Sequence, residues 1–312
     1  MKIRESILGD IPQIIEVLKA SLGETSSKKT EAVWKYKHVD NPFGKSLVLV
    51  AVENDNIIGV RAFMRWQWQL GDQLFSAFRA VDTATHPDHQ GKGVFKKLTL
   101  NALEPVKEQG DDFIFNTPNT QSLPGYLKMG WKEVNKLQIR VKPANPLNWL
   151  DNKTGKSYAV NNNCLKDQLA NLILGYNTLK AGENRLFTLK SPEYLLWRYE
   201  NNPLQNYEVK ADRDFYLAGY IKEHGYFKEL RITEHIYSDD SGLQKINKAV
   251  EEFSKKFGAH IITSAGLNSG LGFSGNFGPV LTLRDVNLDP NLQQELLQLN
   301  NWSYTLGDLE LF

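Results

Sequence analysis

A glycine-bearing segment of this 312-residue chain has the residue types that bind phosphate. It reads Gln90-Gly91-Lys92-Gly93 and continues into Val94 and Phe95, between a predicted strand and a predicted helix. Backbone N–H groups at such a turn converge where the helix dipole is positive, so they can hold a phosphate or pyrophosphate without side-chain cations. Lys92 can add charge at the rim. For two glycines alone, the alternative is an ordinary capped turn.

Two nucleotide-binding patterns can be tested on this segment. A Walker loop requires Ser or Thr directly after its Gly-Lys pair, and here Gly93 follows Lys92. A dinucleotide fingerprint requires a third glycine, at a position where Lys96 stands. The sequence excludes both.

A second group of residues follows the next predicted strand. Asn119 precedes Tyr126 by seven residues, and it precedes the pair Gly130-Trp131 by eleven and twelve. With the upstream loop, this spacing resembles the GNAT superfamily of acetyl-CoA-dependent N-acetyltransferases. The family loop is Gln/Arg-x-x-Gly-x-Gly/Ala; Gln90 and Gly93 match it, and Phe95 stands at the last small position. The resemblance covers about residues 1 to 142.

The resemblance implies an α/β (α+β) GNAT fold with a mixed central sheet flanked by helices, and acetyl-CoA as the acyl donor. In the family, a bulge near the end of a strand frees a backbone N–H for the thioester oxygen, and Thr85 is the expected donor here. Asn119 would orient the pantetheine arm, and Tyr126 would protonate the CoA thiolate. The implied acetyl-CoA-binding residues are Thr83, Ala84, Thr85, Gln90, Gly91, Lys92, Gly93, Val94, Phe95 and Asn119.

Both acid–base assignments have alternatives. The alternative for Tyr126 is a core residue with a hydrogen-bonded hydroxyl group. Asp82 is the candidate base that would take a proton from the amine, but strand alternation places it opposite Thr83 and Thr85. Arg79 occupies the position where some family members have a glutamate. Removal of the proton through water stays open.

Composition limits the classes of partner. Lys plus Arg number 37 and Asp plus Glu 36, a net charge of +1, which argues against a general grip on nucleic acid or an anionic membrane. The one cysteine, Cys164, can form neither an internal disulfide nor a cysteine-based zinc site, and no metal is expected. This cysteine usage fits a reducing cytoplasm. The expected partner is a small-molecule amine.

Periodicity predicts elements that alternate in the order of a mixed α/β sheet. In the first half, helices are predicted over 11–22, 30–37, 94–109 and 122–129, and strands over 47–52, 57–70, 74–85, 113–117 and 131–141. In the second half, helices are predicted over 165–174 and 243–257, and strands over 230–237 and 260–264.

The second half resembles a degenerate copy of the first. Trp197-Arg198-Tyr199 with Asn202-Pro203 repeats Trp34-Lys35-Tyr36 with Asn41-Pro42, and Gly219 is paired with Gly59 on similar spacing. We predict a catalytic domain over 1–145 and a second GNAT-like domain over 146–312. We expect the second domain to lack the CoA loop, since its helix follows Asp239, Asp240 and the single glycine Gly242, and the two aspartates are better placed to cap that helix.

The predicted function is transfer of an acetyl group from acetyl-CoA to a primary amine, by direct attack in a ternary complex. The tandem arrangement is similar to that of the enhanced intracellular survival acetyltransferases, without their third domain. Two rivals stay open, a Fem-type aminoacyl transferase and a CoA-binding sensor or structural module without turnover. Trp66 and Trp68 could line the acceptor site, or they could pack against a neighbouring helix or the second domain. The amine and the oligomeric state are not predicted.

Overall fold

The computed structural model describes residues 1–24, 28–150, 157–267 and 271–309, with only the backbone for 149 and 150. Residues 151–156, just after the predicted domain boundary, therefore lie outside the described residues. The strands are β1 (Lys2–Glu5), β2 (Leu47–Glu53), β3 (Asn56–Leu70), β4 (Gln73–Thr85), β5 (Phe113–Asn116), β6 (Lys132–Lys136), β7 (Ile139–Pro143), β8 (Val160–Asn162), β9 (Leu186–Thr188), β10 (Glu208–Asp212), β11 (Phe215–Glu223), β12 (Lys228–Tyr237), β13 (Ile261–Ser264), β14 (Phe273–Gly275), β15 (Val280–Asp285) and β16 (Trp302–Ser303).

The helices follow the predicted positions closely in the first half and less closely in the second. They are α1 (Ile11–Leu22), α2 (Glu31–His38), α3 (Val94–Asn101), α4 (Leu103–Glu108), α5 (Leu123–Lys128), α6 (Lys166–Gly182), α7 (Pro192–Leu195), α8 (Asp240–Phe257), α9 (Pro290–Leu296) and α10 (Leu306–Leu309). No described helix is long and apolar enough to cross a membrane.

One predicted helix and one predicted strand are each divided in two. The helix expected over 94–109 breaks at Ala102, between α3 and α4. Pro105 causes this break, because it has no N–H to donate to the carbonyl of Asn101 and its ring crowds that turn. The strand expected over 131–141 becomes β6 and β7, which belong to different sheets.

Two mixed sheets lie side by side and exchange strands. The first runs β1-β2-β3-β4-β5-β15-β6, with β9 on β3 and β16 on β9. The second runs β14-β7-β13-β12-β11-β10-β8. Strand β7 comes before the predicted domain boundary, yet it pairs in the second sheet. Strand β15 comes after that boundary, yet it pairs with β5 and β6 of the first sheet. The two halves are therefore interleaved rather than merely adjacent.

The larger hydrophobic core belongs to both halves. It joins the α1 and α2 face of the first sheet to α6, α7 and the central strands of the second. Trp66 and Trp68 lie in it with no exposed surface, and Trp68 packs edge-on against Trp302 at 5.0 Å. Trp66 donates a hydrogen bond to Thr188 at 3.0 Å. These tryptophans pack against the second half and do not line an acceptor site.

Both halves have a bulged strand in the same place. Asp82 is the extra residue of β4 against β3 and has φ of 39°, while β12 bulges against β11 opposite Ala218 and Gly219. The repeat of this irregularity supports the predicted duplication. In the first half the bulge lies opposite Arg61 and Ala62, so Gly59 and Gly219 are not at matching positions.

Candidate active site

Strand β4 separates from its neighbour β5 just before the bulge. These parallel strands pair only over Ala77–Arg79 and Phe113–Phe115, so the remaining six residues of β4 have no strand partner on that edge among the residues that the structure describes. The unpaired edge spans Ala80 to Thr85 and contains every strand residue predicted to bind acetyl-CoA. A backbone edge of this kind can pair with the amide groups of an extended ligand.

The predicted phosphate loop lies at the end of this unpaired edge. Gly91 and Gly93 have φ of 76° and 75°, values that L side chains rarely adopt, and open space surrounds both. Gln90 points its amide back to the carbonyl oxygen of Thr85 at 3.2 Å, which ties the loop to the strand end. Val94 begins α3 and is buried, whereas Gln90 through Gly93 are exposed. The loop therefore presents backbone at a helix N-terminus without a side chain in the way.

Phe95 stands where the family has a small residue, and the fold compensates for its size. Its ring packs edge-on against Tyr126 at 5.6 Å. A Cβ on Gly125 would lie 3.1 Å from this ring, so the glycine next to Tyr126 provides the space. The larger residue thus braces the helix that carries Tyr126.

Helix α5 is shaped by the second predicted motif. The Asn119 side-chain oxygen accepts hydrogen bonds from the backbone N–H of Gln121 and Ser122, at 3.1 and 2.9 Å, and so organises the start of α5. Only its amide nitrogen is left for a ligand. Gly130 follows the end of α5 with φ of 91°, and Trp131 packs on the Tyr126 ring at 5.2 Å. This spacing therefore fixes Tyr126.

The Tyr126 hydroxyl is held at the bulge by a residue that the motifs do not include. Arg61 on β3 donates from one nitrogen, Nη1, to the Tyr126 hydroxyl at 2.7 Å and to the Thr83 hydroxyl. Arg61 is fully buried and Tyr126 is 5% exposed. Because Tyr126 accepts this hydrogen bond, its own proton is free to be donated elsewhere.

Asp82 points to the other face of the sheet, as strand alternation predicted. Its carboxylate forms an ion pair with Lys37 and accepts a hydrogen bond from His38 Nε2 at 2.9 Å, while His38 Nδ1 meets the Ser46 hydroxyl at 2.8 Å. Burial raises the pKa of Asp82, but the Lys37 charge and the His38 hydrogen bond outweigh burial and hold it well below its usual range. Burial also lowers the pKa of His38.

Sequence reasoning missed Arg61, Lys37, His38 and Ser46. Arg61, Lys37 and His38 are far in sequence from the residues that they hold, whereas Ser46 lies eight residues from His38. None of the four belongs to a recognisable pattern. Arg79, noted in the sequence, donates to the carbonyl oxygen of Asp308 at 3.0 Å and to that of Leu309. The second half therefore forms part of the wall beside the place where β4 and β5 separate.

The corresponding region of the second half is closed. Strands β12 and β13 pair only over Glu229–Arg231, but His235 then bridges to the carbonyl oxygen of Ala265 at 2.9 Å. A Cβ on Gly242 would lie 2.4 Å from the Asp214 carbonyl oxygen, so backbone covers this helix start. Asp239 caps it by accepting from the Gly242 N–H at 2.8 Å, the capping role predicted from sequence.

Comparison with known proteins gives one match to a family model. Residues 2–134 match the model of the Acetyltransferase (GNAT) domain, which is less than half of the chain. The chain has the mixed α/β GNAT fold that the resemblance implied. A search of curated proteins found no match.

Solved structures show the same fold over most of the chain. The GCN5-related N-acetyltransferase from Anabaena variabilis ATCC 29413 is 15% identical with a TM-score of 0.63, covering 92% of this chain and 73% of that one. The Kribbella flavida GCN5-related N-acetyltransferase is 14% identical, with TM-score 0.65 and coverages of 92% and 71%. A probable N-acyltransferase from Enterococcus faecalis V583 is 10% identical, with TM-score 0.65 and coverages of 92% and 73%.

Among the described residues, no group of three His, Cys, Asp or Glu side chains could hold a metal ion.

Proposed function

We propose that this protein transfers an acetyl group from acetyl-CoA to a primary amine by direct attack in a ternary complex. One observation carries the proposal. A single nitrogen of Arg61 joins the Tyr126 hydroxyl to Thr83 at the bulge, beside the unpaired edge of β4 that leads to the glycine loop. The expected proton donor, the expected thioester position and the expected phosphate loop thus border one opening.

The described residues suit acetyl-CoA as the donor. The free N–H groups of Gly91 and Gly93 and the positive end of the α3 dipole would hold the pyrophosphate. The unpaired edge of β4 would pair with the pantetheine amides, and a backbone N–H near Thr85 would bind the thioester oxygen. Binding both substrates together supplies catalysis through orientation.

Tyr126 would give its proton to the departing CoA sulfur. The amine nitrogen bonds to the thioester carbon, the carbon–sulfur bond breaks, and sulfur keeps the electron pair and takes the phenolic proton. The proton lost by the amine nitrogen passes to solvent, and Tyr126 is reprotonated from there.

Asp82 stays a candidate for removing the proton of the amine. Its low pKa makes Asp82 a weak general base, because a carboxylate with a pKa far below neutral pH has little tendency to take a proton. We therefore favour transfer of that proton through water, with Asp82 and His38 fixing the α2 side of the bulge.

The test is release of free CoA thiol from acetyl-CoA with a panel of primary amines: sugars, polyamines, amino acids and lysine peptides. We expect amine-dependent thiol release by the wild type, and a loss of ~10²-fold in turnover for Tyr126→Phe, a typical contribution of a general acid. The phenyl ring keeps the packing against Phe95 and Trp131.

Calorimetry with CoA separates the rival functions. CoA binding without amine-dependent thiol release would favour the sensor over the enzyme. A Tyr126→Phe turnover within about threefold of wild type would return Tyr126 to a packing role. If CoA does not bind at all, the proposal fails, and a Fem-type reaction with an aminoacyl donor becomes the reading to test.

A further inference from the structure

Arg61 is a buried charge without a counter-ion among the residues that the structure describes. It has no exposed surface, and its Nε and Nη2 atoms find no hydrogen-bond acceptor. Its guanidinium carbon lies 4.5 Å from the Phe63 ring centre and 5.2 Å from that of Tyr126. A buried cation with unused donors is costly, and a well-packed apolar residue at this position would usually be no less stable.

Two other arginines on the central strands, the partly buried Arg65 and the buried Arg79, differ from Arg61 in their contacts. Arg65 lies four residues further along β3. It forms an ion pair with Asp111 and donates a hydrogen bond to the Ser76 hydroxyl at 2.9 Å. Arg79 donates to two carbonyl oxygens. Arg61 instead donates hydrogen bonds from Nη1 to two neutral hydroxyl groups, those of Thr83 and Tyr126. Tyr126 is the expected proton donor.

We propose that Arg61 is a positioning residue that makes Tyr126 a proton donor to the CoA thiolate. This inference rests on the proposed function. Arg61 donates to the hydroxyl oxygen, so the phenolic hydrogen cannot point at the guanidinium and is turned away from it. When that hydrogen moves to sulfur, the oxygen gains negative charge beside a buried cation, where the weakly screening interior makes the attraction strong.

The reacting atoms balance without Arg61 changing its protonation. The carbon–sulfur bond breaks, the sulfur takes its electron pair and the proton of Tyr126, and the phenolate regains a proton from solvent after CoA leaves. Arg61 has no exposed surface, so we expect it to act only through Tyr126. Its effect is expected to vanish whenever the leaving thiolate needs no proton.

The experiment compares two acetyl donors. One is acetyl-CoA, and the other is an acetyl thioester of a nitro-substituted aryl thiol, whose thiolate is stable enough to leave unprotonated. In Arg61→Met, kcat/KM for acetyl-CoA should fall roughly 10- to 100-fold, the range for losing a buried charge-assisted hydrogen bond. With the aryl thioester, the loss should stay within about threefold. The ratio of the two values does not depend on the fraction of folded enzyme.

Arg61→Lys and Arg65→Met complete the set. Lysine keeps the charge with a single donor group, so Arg61→Lys should recover part of the acetyl-CoA rate even where Arg61→Met folds poorly. Arg65→Met removes a guanidinium from the same strand and should leave the donor ratio unchanged. The double variant Arg61→Met with Tyr126→Phe should be no slower with acetyl-CoA than Tyr126→Phe alone.

Equal losses with both donors, or additive losses in the double variant, would show that Arg61 only supports the fold. An acetyl-CoA rate within about threefold of wild type in Arg61→Met would also overturn the inference. These outcomes differ from failure of the proposed function, in which the wild type itself transfers no acetyl group.

Discussion

At the scale of single residues, the molecule puts its unusual ionisable groups at the two bulged strands. In the first half these are Arg61 of β3 and Asp82 of β4, whose side chains lie on opposite faces of the sheet. In the second half Glu234 and His235 are both buried, and Glu234 forms an ion pair with Lys190 at 2.8 Å. Arg61 and Asp82 flank the bulge beside the unpaired edge of β4. Glu234 and His235 lie where the corresponding gap between β12 and β13 is bridged by His235.

His235 predicts how stability depends on pH. Burial lowers its pKa to about 4 from the ordinary 6.5, and its Nδ1 has no partner among the described groups. Between these two values the unfolded chain binds a proton at His235 and the folded chain does not. The contribution of neutral His235 to the free energy of unfolding is therefore complete above about pH 6.5 and is lost as the pH falls towards 4. At about pH 5 the loss amounts to ~2 kcal/mol.

Urea unfolding at about pH 7 and pH 5 measures this loss. We expect His235→Asn, which cannot be protonated, to have a shallower decline between these pH values than the wild type, by ~2 kcal/mol. His38 is also buried with a lowered pKa and titrates in the same direction, so some decline should persist in the variant. Identical declines in the two proteins would mean that His235 is not desolvated as described.

At the scale of elements, the loop before α3 is an open backbone feature and its counterpart before α8 is a closed one. The difference comes from what surrounds each helix start. Nothing lies within 4 Å of the positions that side chains would take at Gly91 and Gly93, whereas the Asp214 carbonyl oxygen packs directly against Gly242. We therefore expect the first helix start, and not the second, to bind an anion.

Substitution of Gly93 tests the open loop. Valine at φ of 75° is strained, so Gly93→Val should lose roughly 1–3 kcal/mol of stability as well as CoA affinity. Gly110 is the matched control, because it has φ of 78°, open surroundings and a place outside the loop. Gly110→Val should lose similar stability and keep its CoA affinity, whereas Gly93→Val should bind CoA roughly 10- to 100-fold more weakly by calorimetry. Equal affinities in the two folded variants would exclude the loop as the phosphate site.

At the scale of the whole molecule, the halves depend on each other. Strand β15 fills the first sheet between β5 and β6, and β7 fills the second between β13 and β14. The tryptophans of β3 lie in the core that both halves share. The tandem organisation stays a prediction, supported by the repeated bulge and by the reciprocal hydrogen bonds of Tyr36 and Trp197 at 2.8 and 2.9 Å.

One CoA per chain is the expected stoichiometry. The first half has the open loop and the unpaired edge, and the second half has both places covered. Asp239 and Asp240 also put negative charge where a pyrophosphate would bind. Calorimetric titration of the wild type should give one CoA site per chain. In Gly93→Val, CoA binding at this one site should be weaker, with no second site of unchanged affinity. Two CoA molecules per chain would contradict this division of roles.

The sequence by itself determined what depends on residues close together in the chain. The glycine loop, the helix start at Asn119 and the cap at Asp239 are hydrogen-bonded within a few residues, so their spacing carries the information. The same locality explains why α1, α2 and the long strands β3 and β4 were predicted to within one or two residues.

Only the tertiary structure decided which distant residues meet. The sequence around Arg61 does not indicate its contact with Tyr126, because 65 residues separate the two. Sequence alone also does not distinguish a buried arginine from an exposed one. The exchange of β7 and β15 is equally invisible, since the residues of a short strand do not indicate which sheet it joins, and this depends on the packing of both halves. Local hydrogen bonds thus fixed the motifs, and long-range packing fixed the environment in which their chemistry takes place.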